Sequence, residues 1–182
     1  MIRPLVAGDF DAWREAHRRE SQPRNRWDVW ALEAASLTRA KFRALLRGQR
    51  VRRRREISYH LAVFLAKTGE CIGGVSVMDV IRNVSQSAYL GYAIRHRHWG
   101  AGYGKEAVRA AFDIAFRDLR LHRLEAGVEP GNVRSIRLAR SLGMRREGLK
   151  RRCVHLRGEW LDLVAYAITC EELGMRFRGR AD

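Results

Sequence analysis

Apolar residues recur at two different spacings along this chain, and the change from one to the other predicts where helices give way to strands. Between Gly104 and Phe116, the positions Val108, Ala111, Phe112, Ala115 and Phe116 repeat at the spacing of a helix laid on a sheet. A second helical stretch runs from Asp9, a residue suited to an N-cap, to about Glu20, with Phe10, Trp13 and Ala16 or His17 on one face. A third carries Leu37, Phe42 and Leu45 or Leu46, after the Trp- and Arg-rich stretch Pro23-Arg24-Asn25-Arg26-Trp27-Asp28-Val29-Trp30. A fourth is capped by Asn132, holds Ser135, Ile136, Ala139 and Leu142, and stops at Gly143, a left-handed C-cap.

The remaining apolar runs read as strands: Met1 to Val6, Ile57 to Ala66, Cys71 to Met78, Ser87 to Ile94, Leu121 to Val128, Met144 to Leu156 and Trp160 to Thr169. Lys67-Thr68-Gly69-Glu70 makes the second and third a hairpin, and Arg157-Gly158-Glu159 does the same for the last two. Gly73 and Gly74 mark a bulge, and Asp79 to Gln86 a loop. The order is β-α-α-β-β-β-α-β-α-β-β, without internal repeat or low-complexity linker. With 182 residues and 46% hydrophobic content, residues 1–182 form a single domain.

The stretch Ile94-Arg95-His96-Arg97-His98-Trp99-Gly100-Ala101-Gly102-Tyr103-Gly104-Lys105 joins a strand to the longest helical stripe. Glycines at alternate positions let the backbone curl and turn its N–H groups inward, and the helix start adds unpaired amides and the positive end of its dipole. That is a pyrophosphate cradle, unless it is a glycine-rich turn that binds nothing. A Rossmann dinucleotide loop fits poorly: its third glycine would fall on Lys105, and too little chain follows, although Glu125 lies near the offset of that fold's ribose-binding acid.

Charge and cysteine use narrow the classes further. The formal net charge of +16 comes almost wholly from Arg, including Arg52-Arg53-Arg54-Arg55 and Arg176, Arg178 and Arg180. Such a balance favours anionic partners, among them ligand phosphates, an acidic peptide or RNA, or it reflects surface Arg with no partner. Cys71, Cys153 and Cys170 are scattered without metal-ligand spacing and read as reduced, buried thiols, which suggests the cytoplasm. His96 and His98 have no third ligand and belong to the loop rim, so no metal is expected. No apolar stretch near the N-terminus is long enough for a signal peptide or membrane span.

The loop Trp99-Gly100-Ala101-Gly102-Tyr103-Gly104 resembles the acyl-coenzyme A loop of the GNAT N-acetyltransferases, Q/R-x-x-G-x-G/A, in all but its first position. An earlier register, Arg97-x-x-Gly100-x-Gly102, restores the Arg. Further motifs are Tyr89-Leu90-Gly91-Tyr92-Ala93-Ile94, Leu121-His122-Arg123, Asn132-x-x-Ser135 with Leu142-Gly143-Met144, and Gly158-Glu159-Trp160-x-Asp162. Together they are most similar to the Rim-type N-terminal alanine acetyltransferases of ribosomal proteins. Met144 stands where that family often has Phe, and its Trp-x-Pro after the first helix is missing.

The resemblance implies an α+β fold, the GNAT acyl-coenzyme A N-acyltransferase fold: a mixed, mostly antiparallel sheet splayed at its middle, with helices on both faces. It implies transfer of an acetyl group from acetyl-coenzyme A (acetyl-CoA) to a protein N-terminal α-amine by direct attack. Backbone groups of Ala93 and Ile94 would pair with the pantetheine arm, with an N–H near Ile94 on the oxyanion. Trp99, Gly100, Ala101, Gly102, Tyr103, Gly104 and Lys105 would hold the pyrophosphate. Asn132 would touch the pantetheine or cap its helix, Ser135 would protonate the thiolate, and Trp27 and Trp30 would line the acceptor pocket. Relatives carry a basic carboxylate where Val154 and His155 stand here, so Glu125, or Glu129 on the same strand face by parity, is the substitute. A small-molecule amine acetyltransferase and a non-catalytic ribosome- or RNA-binding protein of this fold are the alternatives.

Overall fold

A computed structural model describes residues 1–19, 25–27, 36–156 and 158–179. The strands are β1 (Ile2–Arg3), β2 (Tyr59–Phe64), β3 (Cys71–Ile81), β4 (Ser87–Ile94), β5 (Arg123–Val128), β6 (Arg145–Leu156) and β7 (Glu159–Thr169). The helices are α1 (Phe10–Arg19), α2 (Arg39–Arg54), α3 (Tyr103–Phe112) and α4 (Val133–Ser141). The strands form one sheet in the order β1-β2-β3-β4-β5-β7-β6. All neighbours are antiparallel except β4 and β5.

That parallel pair is short. Only Ser87, Ala88 and Tyr89 match Arg123, Leu124 and Glu125, after which the two strands part. On its other edge β4 stays paired with β3 as far as Ile94. The sheet is thus opened at its centre and closed on both sides, as the resemblance implied.

The two faces carry separate clusters. On one, Phe10 and Trp13 of α1 pack on Leu37 and on Phe42 of α2, with the Phe10 and Phe42 rings 5.6 Å apart edge to face. Ala16 joins Ala62, Phe64 and Cys71 beneath them. On the other, Ala107, Val108, Ala111 and Phe112 of α3 and Ala139 of α4 close over Val75, Val77, Leu90, Leu124 and Ala126. The apolar stripe continues past α3 as a π-helical stretch, Asp113–Asp118, which buries Ala115 and Phe116.

Several expected details differ. Asp9 does not cap α1 forward: its carboxylate turns back to accept from Arg3 at 2.6 and 2.7 Å and from the Val6 amide at 2.8 Å. The Arg3 guanidinium holds that carboxyl below the usual carboxylate range. β1 ends at Arg3, before Pro4, which has no N–H to donate to the sheet. β3 runs on to Ile81 through a kink at Asp79, where φ is 50°. Cys153 is exposed, whereas Cys71 and Cys170 are buried. The segment carrying Pro23 and Trp30 lies outside the described residues, except for 25–27. Among the described residues no helix is long and apolar enough to cross a membrane, and no three metal-binding side chains cluster.

The bulge expected at Gly73 and Gly74 falls on Ile72 instead: Gly74 and Gly73 pair regularly with Ala62 and Val63, and β2 then steps to Phe64 opposite Cys71. A Cβ on Gly73 would collide with the Ala93 carbonyl oxygen and come within 2.9 Å of the Ile94 Cα. Both are backbone and cannot move aside. Gly73→Ala should therefore destabilise the fold by about 1–3 kcal/mol in chemical denaturation, the range for overpacking a filled site.

Candidate active site

The splay opens onto a cleft of about 610 Å³ on the α3 and α4 side. One wall is the loop after β4. Gly100 and Gly102 take φ of 83° and 85°, the left-handed region, and the space a Cβ would occupy at either is open. Gly102 is the N-cap of α3, so the amides of Tyr103 and Gly104 have no helical carbonyl behind them and are free to meet an anion. Gly104 packs tightly, its Cβ position 3.2 Å from Leu138 of α4.

Trp99 does not take the place of the family's polar residue directly. Its indole N–H donates to the Ile94 carbonyl at 2.6 Å, and the Arg134 guanidinium lies 3.9 Å over its ring. The loop residue serves as a platform for a cation from α4. Arg134, Arg137 and Lys105 all line the cleft. Arg97 turns instead to Glu70 at 3.4 Å, which disfavours the earlier register. Of residues 99–105, Ala101 alone does not line the cleft.

The register of β4 decides which backbone groups face the opening. The Arg95 amide donates to Ile72 at 2.8 Å, and Ile94 sits opposite Gly73. Ile94 and Gly73 are therefore a non-hydrogen-bonded pair, in which each residue points its own N–H and C=O away from the other strand. Ile94, and Tyr92 two residues before it, aim these groups into the gap that β5 has left. The Ile94 carbonyl is taken by Trp99, and its amide faces the gap. Ala93 turns its carbonyl to β3, and its methyl group lies on the sheet face opposite the side chains of Tyr92 and Ile94. Of the expected pair, Ile94 carries the open amide and Ala93 does not.

Asn132 caps α4, accepting from the Ser135 amide at 3.2 Å. The Ser135 side chain lines the cleft, and its hydroxyl makes no hydrogen bond among the described residues. The Tyr92 hydroxyl donates to the Ser135 carbonyl at 3.3 Å, tying β4 to α4 across the cleft, and burial raises its pKa.

A second cavity of about 420 Å³ lies on the opposite face of β4, under α1 and α2, and shares Tyr92 and Ala93 with the cleft. Its floor is narrow-waisted, made of Gly74, Gly91 and Ala93, and its walls are Trp13, Leu45 and Leu61. His17, Gln49, His60, Ser76 and Arg95 are the polar lining, and no carboxylate lines it among the described residues. Burial lowers the pKa of both histidines, which favours their neutral form.

Glu125 is not at either cavity. It accepts from Arg123 at 3.0 Å and lies 3.8 Å from Lys150, within a chain of ion pairs that continues through Glu147 and Arg145 to Glu172. Glu129 lies beyond β5 and pairs with Arg26 at 3.1 Å. The expectation of a basic carboxylate on β5 is thus corrected: neither Glu125 nor Glu129 lines either cavity, and neighbouring arginines hold both charges. Trp27 lies in the first cleft, with its ring 3.1 Å from the Cβ position of Gly131, rather than in the second cavity. Sequence reading missed Tyr92, Arg134, Arg137 and the two histidines, whose role appears only once the strands are paired.

An acetyltransferase (GNAT) domain family matches residues 1–145. The probable N-acetyltransferase YjcK of Bacillus subtilis is 42% identical over 110 residues, covering 60% of this chain and 61% of that protein. The [ribosomal protein uS5]-alanine N-acetyltransferase of Escherichia coli is 32% identical over 112 residues, 62% of this chain and 58% of that protein. The chain thus spans about six-tenths of the length of the curated relatives it matches. Mycobacterium smegmatis RimJ, solved in complex with CoA-disulfide, superposes with a TM-score of 0.80 at 27% identity, over 96% of this chain and 83% of that one. An opened sheet, a glycine loop feeding a helix and a family match over most of the sequence agree: the chain belongs to the GNAT acetyltransferase family.

Proposed function

We propose that the protein is an acetyl-CoA-dependent N-acetyltransferase acting on a protein N-terminal α-amine, with ribosomal proteins the leading acceptor class. The observation that carries this reading is that two cavities meet at Tyr92 and Ala93, one lined by cations and helix amides, the other free of carboxylates among the described residues. The first suits a pyrophosphate on an extended arm, and its open glycine positions leave room for phosphate oxygens. The acyl donor is a substrate that supplies an acetyl group activated as a thioester. Gly100, Gly102, Tyr103, Gly104, Lys105 and Arg134 would hold its phosphates, the Ile94 amide the developing oxyanion, and the Ser135 hydroxyl would donate to the leaving thiolate.

The second cavity supports the choice of acceptor. Polyamines and aminoglycosides carry several positive charges and need carboxylates to receive them, and Arg95 lies in this cavity instead. A protein α-amine has a pKa near 8 and a Lys side chain near 10.4, so the former requires about 3 kcal/mol less to deprotonate. Outside the cavities, α2 exposes Arg43, Arg47, Arg50 and Arg54, a face that would meet ribosomal RNA or another anionic partner.

Acetyl-CoA at about 100 times its dissociation constant should raise stability by about 2.7 kcal/mol without added metal, read as a thermal shift. Gly102→Asp places a carboxylate among the phosphates and should abolish that shift while the protein still folds; an unchanged shift would relocate the site. Peptides with a free N-terminus should be acetylated at that amine, and N-terminally blocked peptides bearing Lys should be poor acceptors near neutral pH, as mass spectrometry of the products will show. Preferential Lys acetylation would refute the assignment. Ser135→Ala should lower turnover by about 10- to 100-fold without loss of acetyl-CoA binding, because water can replace the donor only in part.

A further inference from the structure

We propose that His17 of α1 is the catalytic base that takes the proton from the acceptor amine, an assignment that rests on the acyl-transfer reading above. The side chain lines the second cavity, on the far side of β4 from the acyl-donor cleft. Its Nδ1 lies 2.8 Å from the Trp13 carbonyl, one helical turn earlier. A carbonyl oxygen can only accept, so Nδ1 carries the ring proton and Nε2 holds the lone pair. The Arg95 Nη2 lies 3.4 Å from the same Nδ1, a contact between two donors rather than a second hydrogen bond. Nε2 has no hydrogen-bond partner among the described residues. The helix backbone thus fixes the tautomer and leaves the basic nitrogen available, while the Trp13 ring, 4.9 Å away, packs against the imidazole.

The neighbouring residues support this use. His17 lines the same cavity as Ala93 and Arg95, the residues on either side of Ile94, whose amide would hold the oxyanion. Among the described residues the titratable groups lining the cavity besides His17 are His60 of β2, Cys71 of β3 and Arg95, and on α1 itself Arg14, Glu15 and Arg18 lie within three residues, Glu15 paired with Arg19 and Arg18. No carboxylate lines the cavity among the described residues, and burial raises the pKa of the Cys71 thiol. Burial first, and then the charge of Arg95, lower the His17 pKa, whereas the hydrogen bond to Trp13 raises it, and the net shift keeps the ring neutral near pH 7.

In the step itself the amine lone pair forms the bond to the acyl carbon, the carbon–sulfur bond breaks, and its electron pair leaves on sulfur. The proton shed by nitrogen moves to His17 Nε2 and is released to water. A proton supplied from the Ser135 side neutralises the thiolate, so the balance is one proton from amine to thiol. His60 is less suited, because both its nitrogens are engaged, by Ser58 at 3.0 Å and Ser76 at 2.8 Å.

The test is the pH dependence of His17→Gln against wild type on a peptide with a free N-terminus. With the acetyl-CoA thermal shift unchanged, the variant should lose about 100-fold in kcat near pH 7. The deficit should shrink as the pH approaches the amine pKa of about 8, where free amine no longer depends on a base. His17→Ala should recover part of its rate with added imidazole, a response that a packing role would not give. A variant that keeps the wild-type rate and pH profile, or a deficit that is constant with pH and not rescued by imidazole, overturns the assignment. Wild-type protein that binds acetyl-CoA yet acetylates no free N-terminus overturns the acceptor reading, and His17 falls with it.

Discussion

The site depends on backbone hydrogen bonds that the sheet does not make. A buried N–H or C=O without a partner is costly, so a sheet that opens at its centre must provide for the groups it exposes. β4 and β5 hold together for three residues and then diverge, which leaves the outward groups of Tyr92 and Ile94 over a cleft rather than on a neighbouring strand. One of these, the Ile94 carbonyl, is met by the Trp99 indole. The amide has no partner among the described residues, and on the proposed reading an amide-containing arm or carbonyl oxygen would complete the ladder in place of β5. The opening is therefore a defect of the sheet that leaves backbone groups facing a cleft.

What keeps the opening in place is packing on both sides of it. β4 cannot follow β5 because its other edge is bonded to β3 along its length, and the close approach at Gly73 brings those two backbones nearer than any side chain would allow. β5 is held by β7 over six residue pairs. Across the cleft, the bond from the Tyr92 hydroxyl to α4 and the contact of Gly104 with Leu138 set the distance between the two halves. The glycines of the loop fall into two kinds accordingly. Gly100 and Gly102 are required by backbone conformation and face open space, whereas Gly104 is required by the approach of α4.

The fold was largely legible in the sequence because its elements announce themselves locally. The run from Ser87 to Ile94, the stripe from Val108 to Phe116 and the Asn132 cap need only short-range periodicity or capping chemistry, and each appears where expected. The glycine loop leading into α3 was legible for the same reason. The base was not, since it depends on which residues of distant strands and helices share a cavity. Parity put Glu125 and Glu129 on one strand face, but it says nothing of Arg123 and Lys150, which hold Glu125, or of Arg26, which pairs with Glu129 beyond the end of β5. His17 looks in the sequence like one more residue on an amphipathic helix. Only the pairing of α1 over β3 and β4 brings it to Ala93 and Arg95.

The strength of the base and the choice of acceptor are then one constraint rather than two. A half-buried imidazole beside Arg95 has a pKa below its ordinary value of about 6.5, which makes it a weak base. Near pH 7 roughly a tenth of α-amines with a pKa of about 8 are already unprotonated, against less than one in a thousand Lys side chains at about 10.4. A weak base suffices for the former and fails for the latter. Placing a carboxylate in this cavity would strengthen the base, but it would also admit polycations and draw in Lys side chains. On the proposed reading, a neutral histidine in a cavity without carboxylates among the described residues would keep the acceptor range narrow by chemistry, and the Arg-rich exterior would set which macromolecule presents its N-terminus.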